Sequence, residues 1–197
     1  MEISALEVKT LREKTGIGMM KCKEALVECA GDFDKAIEYL RKKGLDTAAK
    51  KSSRTTNEGR VASYIHTNNK IGVLLEINCE TDFVAKGDEF AELAKDICMQ
   101  IAASKPVAVR REDIPAELID KEKEIYREQV KDKPENIIEK ILEGKLNAYF
   151  KEVCLLEQPF IKDTSMVVGD LIKDKIAKFG ENITIGRFAR YQLGEEA

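Results

Sequence analysis

The sequence has one histidine, no tryptophan and no CxxC pair among its five cysteines. A single histidine excludes catalysis by paired histidines and most histidine-based metal sites. That residue, His66, follows Ser63 and Tyr64, and no oriented catalytic triad can be argued from this spacing. No run of 18 or more apolar residues occurs, so the sequence predicts no membrane span. We therefore expect neither a metal or cofactor site nor a membrane protein.

The first residues, Met1-Glu2-Ile3-Ser4, do not resemble a signal peptide, which has a basic start and an apolar middle. Cysteines of a protein that is not exported stay reduced in the cytoplasm. We therefore expect a cytoplasmic protein whose cysteines are small, buried apolar residues.

Motifs for nucleotide binding and catalysis are also missing. The pair Gly16-Ile17-Gly18 lacks the third glycine of a dinucleotide-binding loop and joins two predicted helices without a preceding strand. Neither a phosphate-binding G-x-x-x-x-G-K-[ST] loop nor a G-x-S-x-G nucleophile elbow is found. The sequence thus predicts a protein that is not an enzyme.

Charge divides the 197 residues into two parts. Residues 1–54 carry 12 basic and 9 acidic side chains, whereas residues 55–197 carry 21 and 27. The stretch 41–54 has six basic residues against one acidic residue and then runs into polar residues, which is typical of a linker or linker helix. We predict a domain boundary at residue 54. We expect no direct contact with nucleic acid, because the whole chain is acidic and aromatics make up only 6% of it.

The first part predicts three short helices. Ser4 and Glu7 form a capping box at the start of the first. Gly16 and Gly31 are expected to end the first two helices, and Gly44 the third. The second helix begins with Met19 and Met20, which cannot both face inward because neighbours on a helix lie about 100° apart. At least one of them should be an exposed, soft contact surface.

The second part predicts a β-hairpin from residues 60–66 and 71–77, then helices, and last an alternating strand at 183–193. Four predicted helices separate the hairpin from that strand. They cover 90–101, run from Pro115 to about residue 131, begin at Pro134, and end at Phe179. This order is typical of an α+β fold in which helices cover one face of an antiparallel sheet.

The segment 78–87 follows directly on the second predicted strand and allows two interpretations. In the first, Thr81 or Asp82 caps a helical turn and Phe83 fills the core. In the second, the strand end presents an acid and an aromatic ring together, as a wedge that anchors in a pocket of a partner.

Several segments resemble the family of bacterial translation elongation factor Ts. Thr81-Asp82-Phe83-Val84, preceded by Asn78-Cys79-Glu80, is similar to the signature of that family. Four further segments match it in family order, so that the resemblance covers nearly the whole chain: 11–20, 102–106, 157–160, and 180–183 with Arg187-Phe188.

The resemblance implies a guanine nucleotide exchange factor for elongation factor Tu, the GTPase that carries aminoacyl-tRNA. It implies that the head, residues 1–54, is a three-helix domain of the ubiquitin-associated type that contacts Tu. Lys9, Arg12, Met19 and Met20 match the family's contact positions there. Thr81, Asp82, Phe83 and Val84 match the segment that dislodges Mg²⁺ from Tu.

Longer family members have a second copy of the core, whereas this chain has room for one, in residues 55–197. It resembles the short form, so we expect a homodimer formed through the final strand and the helices near it, with two copies of Tu bound. Ala189 and Arg190 stand where some short forms have a cysteine, and Gln100 stands where many members have histidine.

One alternative remains open from the residues alone. A head of the ubiquitin-associated type also suits an adaptor without exchange activity. An adaptor has no need of Asp82 and Phe83 at an exposed tip, so this segment discriminates between the two functions.

Overall fold

The computed structural model describes residues 3–195, apart from the side chain of Asn136, and confirms the predicted mixture of helices and antiparallel strands. The helices are α1 (Ala5–Thr15), α2 (Met19–Glu28), α3 (Phe33–Lys51), α4 (Asp82–Ala85), α5 (Asp88–Ser104), α6 (Ala116–Glu128), α7 (Glu135–Val153) and α8 (Val168–Phe179). The strands are β1 (Glu58–Ile65), β2 (Ile71–Cys79), β3 (Pro159–Phe160), β4 (Asp163–Val167) and β5 (Ile183–Gln192).

The chain forms two compact units that are not continuous in sequence. The first contains the residues up to Gly59 together with Asn78–Gly87 and Leu171–Thr184. The second contains Arg60–Ile77, Asp88–Asp170 and the residues from Ile185 onwards. The division of the chain into domains 1–54 and 55–197 stays a prediction.

Helices α1, α2 and α3 of the first unit pack around a small apolar core. The capping box at α1 is present, because Ser4 Oγ accepts the amide proton of Glu7 and the Glu7 carboxylate accepts the Ser4 N–H at 2.7 Å. Seven buried residues form the core: Val8, Leu11, Cys22, Ala25, Leu26, Ala36 and Leu40. A core of this size contributes only a few kcal/mol, roughly 3–5, so each of its members matters.

The prediction that Gly44 ends the third helix is wrong, because α3 continues to Lys51. Glycine inside a helix costs about 1 kcal/mol relative to alanine. Here Gly44 is buried, and a Cβ at this position would lie 3.0 Å from the Cβ of Ala177 on α8. The glycine is therefore explained by close packing against α8, and the basic stretch beyond it is the end of this long helix.

Three strands form the main sheet, in the order β1-β2-β5. A tight turn joins β1 to β2, closed by the bond from His66 N–H to the Ile71 carbonyl at 2.9 Å. At the far end of β5, the Leu193 N–H bonds the Lys70 carbonyl just before β2, so β5 runs antiparallel to β2. Helix α5 lies against one face of the sheet, where Arg190 of β5 donates to the Ala102 carbonyl. A second hairpin, β3–β4, was not predicted.

The other face of the sheet is partly apolar and exposed. Val61 and Ile65 of β1 are 73% and 62% exposed, Leu74 of the central strand 50%, and Tyr191 of β5 69%. We call these four residues the open face. The solvated face of an antiparallel sheet usually carries polar residues, so the exposed Leu74 of the central strand is the least expected member.

The cysteines are free thiols, and four of them are buried: Cys22, Cys79, Cys98 and Cys154. Burial raises the pKa of both Cys98 and Cys154 to about 11, which keeps these thiols protonated and unreactive at neutral pH. For these four, the expectation of small buried apolar residues is confirmed, whereas Cys29 is only partly buried.

We expect Leu26→Ala to lower the free energy of unfolding by about 2–5 kcal/mol, because this fully buried side chain leaves a cavity in the head core. The measurement is chemical denaturation followed by circular dichroism. Leu6→Ala is the matched control, since Leu6 is 72% exposed, and we expect it to change stability by less than about 0.5 kcal/mol. Equal effects of the two substitutions would contradict this account of the core.

Candidate functional site

The wedge, residues 81–84, forms a single helical turn directly after β2. Thr81 is the N-cap of the four-residue helix α4, and its hydroxyl accepts the Val84 N–H at 3.4 Å. The ring of Phe83 in this turn is 85% exposed, the highest value among the exposed large apolar residues of the described chain. The structure thus combines the two interpretations: Thr81 caps a helical turn, but Phe83 does not fill the core.

Local sequence explains why the ring points outward. Ala85 is 5% exposed and anchors the turn, and a helical residue two positions earlier lies on nearly the opposite side. Cys79, the last residue of β2, is fully buried and donates its S–H to the Thr81 carbonyl at 3.2 Å. Gly87 closes the turn, and a Cβ there would lie 3.2 Å from the Val84 carbonyl oxygen. The exposed ring is therefore carried on a turn that is held at both ends.

Asp82 lies beside Phe83 and keeps its charge. Its carboxylate accepts a hydrogen bond from the Lys86 ammonium at 2.7 Å, one turn further on. This bond and the charge of Lys86 lower the pKa of Asp82 below its usual value. At neutral pH the wedge therefore presents an apolar ring next to a carboxylate.

Three residues from two distant segments hold the start of the wedge, and we call Glu80, Glu181 and Asn182 the clamp. The Glu181 carboxylate accepts the N–H groups of Glu80 at 3.1 Å and Thr81 at 3.0 Å, and the Thr81 hydroxyl at 2.6 Å. In return the Glu80 carboxylate accepts the Asn182 N–H at 2.6 Å. The bond from Asn182 and the guanidinium of Arg54 lower the pKa of Glu80.

The four head residues predicted to contact a partner are all exposed. Lys9 and Arg12 lie one turn apart on α1, and the Lys9 ammonium is 3.9 Å from the Glu13 carboxylate. Met19 and Met20 begin α2 and are 41% and 78% exposed, so the expectation that at least one methionine is exposed is confirmed. These residues and the wedge belong to the same compact unit but to different elements of it.

Gln100 of α5 does not reach the surface. Its amide donates to Gln158, Ser104 and the Pro159 carbonyl, and its oxygen accepts the Ile161 N–H at 2.8 Å. The side chain is fully buried and its polar atoms are satisfied within the second unit. A polar contact between this residue and a partner is therefore excluded in this conformation.

His66, the single histidine, contacts the neighbouring Tyr64. Its Nδ1 lies 3.0 Å from the Tyr64 hydroxyl, beside a cavity of about 230 Å³ that is also lined by Ile71, Ile161 and three residues of α5. In the described range, 3–195, no group of three or more His, Cys, Asp or Glu side chains is placed to hold a metal ion. The same residues include no helix that is long and apolar enough to cross a membrane.

Comparison with known proteins identifies relatives along almost the whole chain. Residues 34–195 match the family model described as elongation factor TS. A protein of Thermotoga petrophila named elongation factor Ts is 62% identical over 195 residues, which cover 99% of this chain and 98% of the relative. Proteins of the same name from Thermodesulfovibrio yellowstonii and Fervidobacterium nodosum are 61% and 60% identical, again over 99% of this chain and over 98% and 100% of the relatives. The resemblance drawn from the motifs is confirmed.

Because its ring is exposed, we expect Phe83→Ala to leave the melting temperature within about 2 °C of the unmodified protein. Phe90→Ala is the matched comparison, since Phe90 is fully buried, and its loss should cost about 3–5 kcal/mol. Differential scanning calorimetry measures both. A large loss of stability for Phe83→Ala would mean that the ring is part of the protein's own core.

Proposed function

Because the chain belongs to the elongation factor Ts family, and so to the translation elongation factors, we propose that it is the guanine nucleotide exchange factor of elongation factor Tu. In this proposal it binds Tu with GDP and promotes GDP release by disturbing the Mg²⁺ and phosphate site. The protein acts in the cytoplasm and contacts Tu, not nucleic acid.

The observation that carries the proposal is the exposed ring of Phe83 on a turn held at both ends. A large aromatic side chain that is 85% exposed gains nothing for its own fold. The same ring contributes strongly when it enters a pocket of a partner, because aromatic residues dominate the energetics of interfaces. Its placement on a short, capped turn lowers the conformational entropy that is lost on docking.

The energetic requirement for exchange is modest. A nucleotide bound with nanomolar affinity is held by about 12 kcal/mol, and a thousandfold faster release needs about 4 kcal/mol off the barrier. Mg²⁺ bridges phosphate oxygens and the GTPase and neutralises their charge. Insertion of Phe83 beside this site, with the charged Asp82 next to it, displaces the groups that support the ion and supplies energy of that order.

Such a factor needs no catalytic residues of its own. By thermodynamic linkage, the exchange factor weakens the binding of nucleotide to Tu by the same factor by which nucleotide weakens the binding of the exchange factor to Tu. The free energy for release therefore comes from the contacts between the two proteins. Lys9, Arg12, Met19 and Met20 provide a second contact region on Tu, where exposed methionines adapt to an apolar surface and the cations pair with acids.

We further propose that two copies of the chain associate through the open face. An isologous contact would bury the same four side chains of each copy, including Tyr191 of the final strand. The Arg187 guanidinium, which bonds Glu76 at 2.9 Å across the strands, adds a polar border to this apolar patch. An apolar patch with a polar border is typical of protein interfaces, and the assembly would be two copies of this chain with two of Tu.

We expect Phe83→Ala to slow the stimulated release of GDP from Tu roughly thirtyfold, which corresponds to the loss of about 2 kcal/mol at an interface hot spot. Stopped-flow fluorescence of Tu loaded with a fluorescent GDP analogue measures this rate. Ile137→Ala is the control, because Ile137 is an exposed apolar residue of α7, outside the wedge and the head. Unchanged release with Phe83→Ala would refute the role of the wedge, whereas no stimulation by the unmodified protein would favour an adaptor without exchange activity.

Substitution of Leu74 by lysine places a charge in the middle of the open face. We expect Leu74→Lys to convert the dimer to a monomer, because a buried unpaired ammonium costs several kcal/mol. Light scattering after size-exclusion chromatography measures the mass, and Ile137→Lys serves as the matched control on a different surface. A monomeric mass for the unmodified protein, 22.2 kDa, would refute the dimer.

A further inference from the structure

The two peptide groups that lead into the wedge are both bound to one carboxylate. Glu181 accepts the N–H groups of Glu80 and Thr81 and also the Thr81 hydroxyl, at distances of 2.6 to 3.1 Å. We propose that Glu181 is a positioning residue that sets the direction in which Phe83 points. This inference rests on the proposed exchange function, because it concerns how the wedge reaches Tu.

Helix α4 cannot set its own direction. It has four residues, and a helix of this length has no stability apart from what its ends supply. The Thr81 hydroxyl donates to Glu181 and accepts the Val84 N–H, so it connects the carboxylate to the first turn of the helix. Phe83 lies between these two bonded residues and takes its orientation from them.

Glu181 is itself fixed from both sides. Gly180 before it has a φ of +76°, a left-handed conformation that glycine adopts without strain and that ends α8. The Gly180 carbonyl accepts a hydrogen bond from the Lys51 ammonium at the end of α3. Asn182 after it is 2% exposed and donates to the Ser52 and Arg54 carbonyls at 3.4 and 2.8 Å. A carboxylate held in this way transmits its position to the wedge.

The contacts of Glu181 orient the wedge but contribute little to the stability of the fold. Its side chain is only half-buried, and Thr81 is exposed, so water replaces the lost bonds when the carboxylate is removed. The neighbouring bond from Asn182 N–H to Glu80 remains and keeps the two segments together. Removal of the Glu181 carboxylate is therefore expected to leave the protein folded but the orientation of the Phe83 ring less well defined.

Glu181→Ala should reduce the maximal rate of stimulated GDP release by roughly tenfold, and by no more than the roughly thirtyfold expected of Phe83→Ala, because Glu181 acts through that ring. The concentration of factor that gives half of that rate should change by less than about threefold, since the head still binds Tu. Glu181→Gln should restore most of the rate, because its amide oxygen accepts the two N–H groups and its NH₂ group can donate to the Thr81 hydroxyl. Glu139→Ala, on the exposed side of α7, is the matched control.

A double substitution separates positioning from other roles. If Glu181 acts through the ring, Glu181→Ala has no further effect in a protein that already carries Phe83→Ala. Amide hydrogen exchange of Thr81 and Val84 should become faster in Glu181→Ala, while exchange in α5 stays unchanged. The expected outcome is thus no further effect in the double variant, faster exchange at Thr81 and Val84, and unchanged exchange in α5.

Three results would overturn the proposal in different ways. If Phe83→Ala slows release but Glu181→Ala does not, the wedge stands and the positioning role of Glu181 is wrong. If Phe83→Ala itself has no effect, the wedge is not the source of the stimulation and the role of Glu181 fails with it; if the unmodified protein does not stimulate release, the proposed function fails. An undiminished effect of Glu181→Ala in the Phe83→Ala background would also contradict the proposal, because Glu181 would then act elsewhere.

Discussion

The candidate site depends on two carboxylates, about 100 positions apart in sequence, that accept backbone N–H groups from each other's segments. Glu181 accepts the N–H groups of Glu80 and Thr81, while Glu80 accepts the N–H of Asn182. Bonds between a carboxylate and backbone N–H groups are among the stronger hydrogen bonds in proteins. They allow a single helical turn to hold an aromatic ring in water, which an unsupported turn of that length cannot do.

Much of the fold could be predicted because its signals are local. The capping box at Ser4 and the alternation at 183–193 each involve residues close in sequence, and both predict the observed elements. The prediction at Gly44 is wrong because the contact that requires a glycine there is not local in sequence. A glycine signals the end of a helix in sequence, but here it makes room for Ala177, more than 130 residues further on.

The candidate site shows the same limit. Asp82 and Phe83 next to a strand end suggest a wedge, yet the same segment also allows a capped helical turn with a buried ring. Exposure of Phe83 distinguishes the two, and it depends on the burial of Ala85 and on contacts from the α8–β5 turn. Glu181 was missed because no spacing rule relates it to Thr81; only the matching segments at both places hinted that they belong to one site.

The length of α3 has a mechanical consequence. This helix starts in the head core at Phe33 and runs for 19 residues, or about 28 Å, to Lys51, whose ammonium bonds the Gly180 carbonyl next to Glu181. A continuous helix of this kind is a rigid connection between the head core and the Gly180 carbonyl. In the proposed function, Tu bound at the head would meet the ring at a high effective concentration, so the second contact would be made without a new encounter in solution. Under that proposal, two individually weak contacts with the same GTPase would give avidity.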